Sequence, residues 1–87
     1  MPLSKSIDSI HGVIDSIEFD EPSGFHIRKI GLPFVIKDGA VEIVAEKLAQ
    51  YIEKCANLGA GDCNEMSAKD FMNAQTIIMG FFGESES

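Results

Sequence analysis

The side chains able to do chemistry are few. His11, His26, Cys55 and Cys63 are the only soft metal ligands in the chain. Seven residues separate the two cysteines, whereas zinc-binding pairs are spaced by about two to four. Neither an HxxxH nor a CxxC pattern occurs. Serine, histidine and aspartate are all present, but no serine stands in the sharp Gly-flanked turn that exposes a nucleophile. Gly59-Ala60-Gly61-Asp62 lacks the Lys-Ser/Thr end of a phosphate loop and reads as a linker between helices. These residues predict no catalytic group, no cofactor and no metal, so the chain is read as a non-enzyme.

The bulk properties bound what remains. With 87 residues, one domain is expected, and a chain this short buries only about 60 to 65% of its unfolded surface. Its core is therefore thin. Fourteen acidic residues against seven basic ones leave a net charge of -7, which repels phosphate backbones and predicts no nucleic-acid partner. The mean hydropathy of +0.07 fits a globule whose apolar residues are gathered into faces. Met1-Pro2-Leu3-Ser4-Lys5-Ser6 carries no apolar stretch of the kind a secretory signal needs, which predicts a cytoplasmic protein with reduced thiols. Leu32 to Ile36 and Ile77 to Phe82, the longest apolar runs, are far short of the roughly 18 residues that span a bilayer, so no membrane partner is expected.

The pattern predicts a small α+β domain, an N-terminal β-hairpin followed by about three helices. Ile7, Ile10, Val13, Ile14, Ile17 and Phe19 carry the strand signal, with a turn over Ser9 to Gly12 that pairs Ile7 with Ile14 and keeps Asp8 from facing Asp15. Pro22 reads as a first helical position, with a short helix over about Ser23 to Ile30 capped by Gly31. Pro33 demotes Leu32 to Ile36 to an edge strand or extended linker. Asp38 reads as the N-cap of an amphipathic helix through Val41, Val44, Leu48, Ile52 and Cys55, with Glu42, Glu46, Gln50 and Glu53 facing water. Gly59 and Gly61 end it. Ser67 caps a last helix, with Asp70 at the acid position of a capping box and Met66 set to staple against Phe71. The last two helices are expected to form an antiparallel pair. Residues 1–83 are read as the domain and residues 84–87 as a flexible acidic tail.

That last helix holds an apolar excess. Ile77-Ile78-Met79-Gly80-Phe81-Phe82 is apolar all round, beyond the stripe of about 100° that a helix buries on its own domain. Either the helix is central in the core or it presents a patch for another protein. Phe71, Ile78, Met79, Phe81 and Phe82 are the candidate partner-binding residues, at the i, i+3, i+4, i+7 type of spacing used in helix recognition.

The order of signals resembles the tail assembly chaperones of Mu-like contractile-tailed bacteriophages and prophages. The residues that carry it are Ile17-Glu18-Phe19-Asp20-Glu21-Pro22-Ser23-Gly24, then Leu48-Ala49-Gln50-Tyr51-Ile52 through Leu58, then Met66-Ser67-Ala68-Lys69-Asp70-Phe71, and the end Met79-Gly80-Phe81-Phe82. Two departures stand out: Asp20-Glu21 sits where many relatives have an arginine, and Leu32 to Asp38 has no counterpart. The resemblance implies an assembly factor of the bacterial host cytoplasm that is absent from the mature virion. It would bind the tape measure protein, keep it soluble, and yield it as the tail tube assembles. It further implies a frameshifted longer form, diverging near Glu84 to Ser87, that could reach the tail tube protein; a homo-oligomer is expected as well. Two other classes fit parts of the sequence. Asp8-Ser9-Ile10 and Asp15-Ser16-Ile17 are similar to the Asp-Ser-Leu setting of acyl carrier proteins, and a self-associating structural protein without a client would show the same apolar excess.

Overall fold

The computed structural model describes residues 1–9 and 12–83. Strands β1 (Pro2–Ser9) and β2 (Gly12–Ser16) form the antiparallel N-terminal hairpin. Ile7 pairs with Ile14, as the alternation predicts, and Asp8 faces Val13. Ile10 and His11, at the expected turn, lie outside the described residues, as does the 84–87 tail. Helix α1 (Gly24–Ile30) follows, with Ser23 as N-cap and Gly31 as C-cap. Pro22 thus lies just outside the helix rather than in its first turn. His26 at the third helical position takes the capping role instead, its Nδ1 accepting the Ser23 N–H at 3.1 Å.

The middle of the chain departs most from the sequence reading. Strands β3 (Phe34–Lys37) and β4 (Ala40–Ile43) form a second antiparallel hairpin, and helix α2 (Ala45–Cys55) begins only after it. Asp38 is a turn residue and not a helix cap. Asp38 and Gly39 both take positive φ, 52° and 79°, as the two central residues of a type I′ turn must. Asp-Gly between alternating apolar residues is among the strongest hairpin signals. Val41 and Val44 also fit the helical spacing of the residues beyond, so the same residues carry a competing helix signal.

Helix α2 ends on Asn57 in the left-handed region, φ 57°, with the Leu58 N–H bonded back to the Glu53 carbonyl at 2.8 Å. That is the Schellman bond of a helix terminus, with Asn in the place usually held by Gly. The loop beyond, expected to be a simple linker, contains a 3₁₀ turn over Asp62–Glu65. Glu53, expected to face water, anchors it by accepting the Gly61 N–H at 2.8 Å and the Cys63 N–H at 3.4 Å. Helix α3 (Ala68–Gly83) closes the described chain.

One core serves all of these elements. Leu48, Tyr51, Ile52 and Cys55 of α2, Ala74 and Ile78 of α3, and Cys63 of the 3₁₀ turn form a single buried cluster, with Met1, Phe19, Ile43, Met66 and Phe71 packed against it. Ile7 and Ile17 are buried on the hairpin side. The Tyr51 hydroxyl donates to the Gly31 carbonyl at 2.8 Å, tying α2 to the end of α1.

Asp70 joins the N-terminal hairpin to α3. Its carboxylate does not turn back to the Ser67 amide as a capping box requires. The Ser67 Oγ does accept the Asp70 N–H at 3.2 Å, but the carboxylate reaches β1. There it accepts the Ser4 N–H at 2.9 Å to each oxygen, the Lys5 N–H at 3.2 Å and the Ser4 hydroxyl at 3.1 Å. The β1–β2 register shifts between Pro2 and Ile7, so these N–H groups meet α3 where the ladder to β2 is interrupted. The backbone bonds from Ser4 hold the Asp70 carboxyl below its ordinary value, against the opposing effect of desolvation. A carboxyl with a lowered folded pKa stabilises the fold above the unfolded value, near 3.8, and that contribution disappears as pH falls through the folded value. Asp70→Asn is therefore expected to lower the thermal midpoint at pH 7 by more than Asp15→Asn does. The gap between wild type and Asp70→Asn should narrow on acidification below about pH 4, as followed by circular dichroism.

Candidate interaction surface

The residues singled out on the last helix lie at the core or against it. Ile78 is fully buried, and Phe71, Met79, Phe81 and Phe82 are half-buried. Phe82 sits edge-on to Tyr51 with ring centroids 5.4 Å apart, and edge-on to Phe34 at 6.0 Å. The apolar girdle of α3 is thus largely taken up by α2 and β3. None of the five belongs to the most exposed apolar residues, which are Val13, Phe25, Ile27, Leu32, Val35, Ile36, Val41 and Met72.

Six of those eight fall in α1, the segment after it, and the β3–β4 hairpin. The reason is geometric. Paired residues of an antiparallel ladder share a face, and alternate pairs change face. The register Phe34↔Ile43 and Ile36↔Val41 puts these four side chains on one face of the hairpin. The inner pair is covered, with Phe34 on Phe82 and Ile43 on the core. The outer pair is uncovered, Ile36 at 68% and Val41 at 56% exposure. The hairpin extends past the body that supports it, carrying its apolar face outward. Its other face bears Val35, Glu42, Lys37 and Ala40, with Lys37 and Glu42 4.0 Å apart in a solvent-exposed ion pair.

The remaining candidates have structural surroundings. Cys55 and Cys63 are free thiols within the core cluster. Burial first, then the hydrogen bond to Glu53, pushes the Cys63 thiol up to about 12; its Sγ donates to Glu53 Oε2 at 3.0 Å. Burial also raises Cys55. Among the described residues no group of three or more His, Cys, Asp and Glu could hold a metal ion. Ser9 and Ser16 are both strand residues, and the Ser16 hydroxyl donates to the Met1 carbonyl at 3.2 Å. A cleft of about 190 Å³ is lined by Gln50, Glu53, Lys54, Leu58 and Ala60, smaller than the roughly 300 Å³ at which small-molecule sites begin. No helix among the described residues is long and apolar enough to cross a membrane. What the described residues do present is uncovered apolar surface on α1, on the segment after it and at the outer end of the β3–β4 hairpin. No family model, curated protein or solved structure matches the chain.

Two measurements separate core from surface. Ile78→Ala is expected to lower the unfolding free energy by about 2–5 kcal/mol, and Ile36→Ala to leave it within about 0.5 kcal/mol, in urea titrations. At pH 8 the thiolate fraction of Cys63 falls short of an ordinary thiol's by on the order of a thousandfold. Its alkylation in the native state should be slower by that factor and should recover on unfolding.

Proposed function

We propose that this chain is a non-catalytic assembly chaperone of a contractile phage tail. It holds the tape measure protein in solution until the tail tube closes around it. One observation supports the reading above the rest: in a chain with so thin a core, the apolar face of β3–β4 runs uncovered beyond the domain, with Ile36 and Val41 at its outer end. A tape measure protein is long, helical and apolar, and its exposed helices need a matching apolar surface in order not to aggregate. Phe81 and Phe82 belong to the same contact in this reading, because Phe82 touches Phe34 and so continues the β3–β4 face onto α3. On α3 Met79 lies one turn before Phe82 and Phe71 three turns before it, and the buried Ile78 packs on the core. The acidic exterior keeps the chain soluble.

The segment with no counterpart in the chaperone family, Leu32 to Asp38, contains β3. The client contact assigned to β3 therefore rests on the geometry of this chain and not on the resemblance. A frameshifted longer form would carry the client to the tail tube protein, and the protein would act in the bacterial host cytoplasm and leave before the virion is complete.

Co-expression with the tape measure protein encoded beside it should raise that protein's soluble yield several-fold. Ile36→Lys together with Val41→Glu, an opposite-charge pair across the ladder, should abolish the gain while leaving the chaperone's own thermal midpoint nearly unchanged. An unchanged yield with the wild-type chain would remove the proposal.

A further inference from the structure

Charge is unevenly distributed over this chain. Residues 1–23 carry five carboxylates against one lysine, whereas residues 24–47 carry four cations against three carboxylates. Within that second stretch α1 bears Arg28 and Lys29 and no acid, and none of its residues is fully buried. Phe25 is 65% exposed, and Ile27 and Leu32 are exposed beside it in sequence. Lys29 lies over the Phe25 ring, 5.8 Å from its centroid. Lys47 reaches across Gly31, where an added side chain would meet its Nζ at 3.0 Å. Phe25 precedes Arg28 by three residues and Lys29 by four, so the three share one side of α1, an exposed ring flanked by two cations, while Ile27, two residues from Phe25, faces away from it.

The N-terminal hairpin presents the opposite. Ile7 and Ile14 point to the core side, so Asp8 and Val13, the next pair, point outward together, and Asp15 shares their face by alternation. Val13 is 65% exposed, an apolar centre between two carboxylates. Among the described residues the ion pair within 4.0 Å is Lys37 with Glu42, so Asp8, Asp15, Arg28 and Lys29 have no ion-pair partner among them.

We infer that the outward face of the β1–β2 hairpin of one copy docks on the α1 face of a second copy. Val13 seats on Phe25, and Asp8 and Asp15 meet Arg28 and Lys29. The two surfaces differ, so the contact is head-to-tail, and repetition builds a ring or an open row of copies rather than a closed dimer. The inference deepens the self-association expected beside the chaperone reading but needs no client, and each can fail alone. A contact of this extent belongs to the small, transient class. Its ionic part acts at about 0.15 M salt, where a Debye length near 8 Å confines the net repulsion of two acidic chains.

Analytical ultracentrifugation of the purified full chain at about 0.15 M salt tests it. The wild type should gain mass with concentration, and should associate less at about 0.01 M salt, where the Debye length of roughly 30 Å lets the whole chains repel. Arg28→Glu with Lys29→Glu should be monomeric alone, and so should Asp8→Lys with Asp15→Lys. An equimolar mixture of the two should associate again, because each restores the other's complement. Should a reversal variant lose its circular dichroism signal, Asp8→Asn with Asp15→Asn and Arg28→Gln with Lys29→Gln take their place and should each weaken association at least threefold. A monomeric wild type at every concentration overturns the inference. So does wild-type association by the Asp8→Lys, Asp15→Lys chain, which would mean that α1 meets something other than the hairpin. A monomeric wild type that instead co-sediments with phosphatidylserine vesicles would assign α1 to a lipid surface.

Discussion

The carboxylate of Asp70 holds the two ends of the described chain together. A two-stranded hairpin is marginal in water by itself, and β1–β2 has the further handicap of an interrupted ladder between Pro2 and Ile7. The freed N–H groups of Ser4 and Lys5 need acceptors, and Asp70, 66 residues from Ser4 in sequence, provides both. With β1 held on α3, Ile7 and Ile17 can be buried on the hairpin side. Remove this contact and the hairpin is held by its apolar face, by the Ser4–Ser67 hydroxyl bond at 3.0 Å and, just beyond β2, by the Asp20 N–H on the Cys55 carbonyl at 2.9 Å. The carboxylate itself is 1% exposed, a desolvation cost tolerated because every bond it accepts favours its charged form.

The same device recurs at smaller scale. Glu53 collects the N–H groups of the 3₁₀ turn and the thiol of Cys63, Asp62 accepts the Gly59 N–H at 2.8 Å, and Tyr51 donates to the end of α1. No buried side-chain nitrogen or oxygen among the described residues is left without a partner. In a chain of this size the apolar core is small, and short polar contacts to backbone fasten each loop to it. Helix α2 receives most of them, which makes it the post around which α1, the 3₁₀ turn and α3 are arranged.

Apolar side chains that this core cannot accommodate end up at its margins. The end of α3 carries the densest apolar run, yet α2 and β3 cover much of it, since three aromatic rings, Phe34, Phe82 and Tyr51, interlock there. The surplus emerges on α1 and at the outer end of β3–β4. Both are short elements with little behind them. A short helix and a two-stranded ribbon expose whatever they cannot lay against the body, and in this chain that remainder is apolar and bordered by charge of either sign.

How much of this was legible from the residues follows from how local each signal is. The Ile7–Ile14 register, α1 up to Gly31, the buried stripe of α2 and the Ser67 cap all depend on neighbours within a turn or a strand, and the residues alone determine them. The β3–β4 hairpin was local too, marked by Asp38-Gly39, but Val41 and Val44 fit a helical period as well as a strand, and pattern alone could not choose. The candidate surface was legible only as an excess of apolar residues. Composition shows that such an excess exists; where it lies depends on which neighbour covers which face. The sequence by itself determined that this is a small, acidic α+β domain with more apolar surface than it can bury. Tertiary structure decided that Phe82 turns onto Tyr51 and Phe34, that Asp70 spends its carboxylate on β1, and that Ile36 and Val41 are left outside. Those outcomes rest on contacts between residues far apart in the chain, which no local spacing encodes.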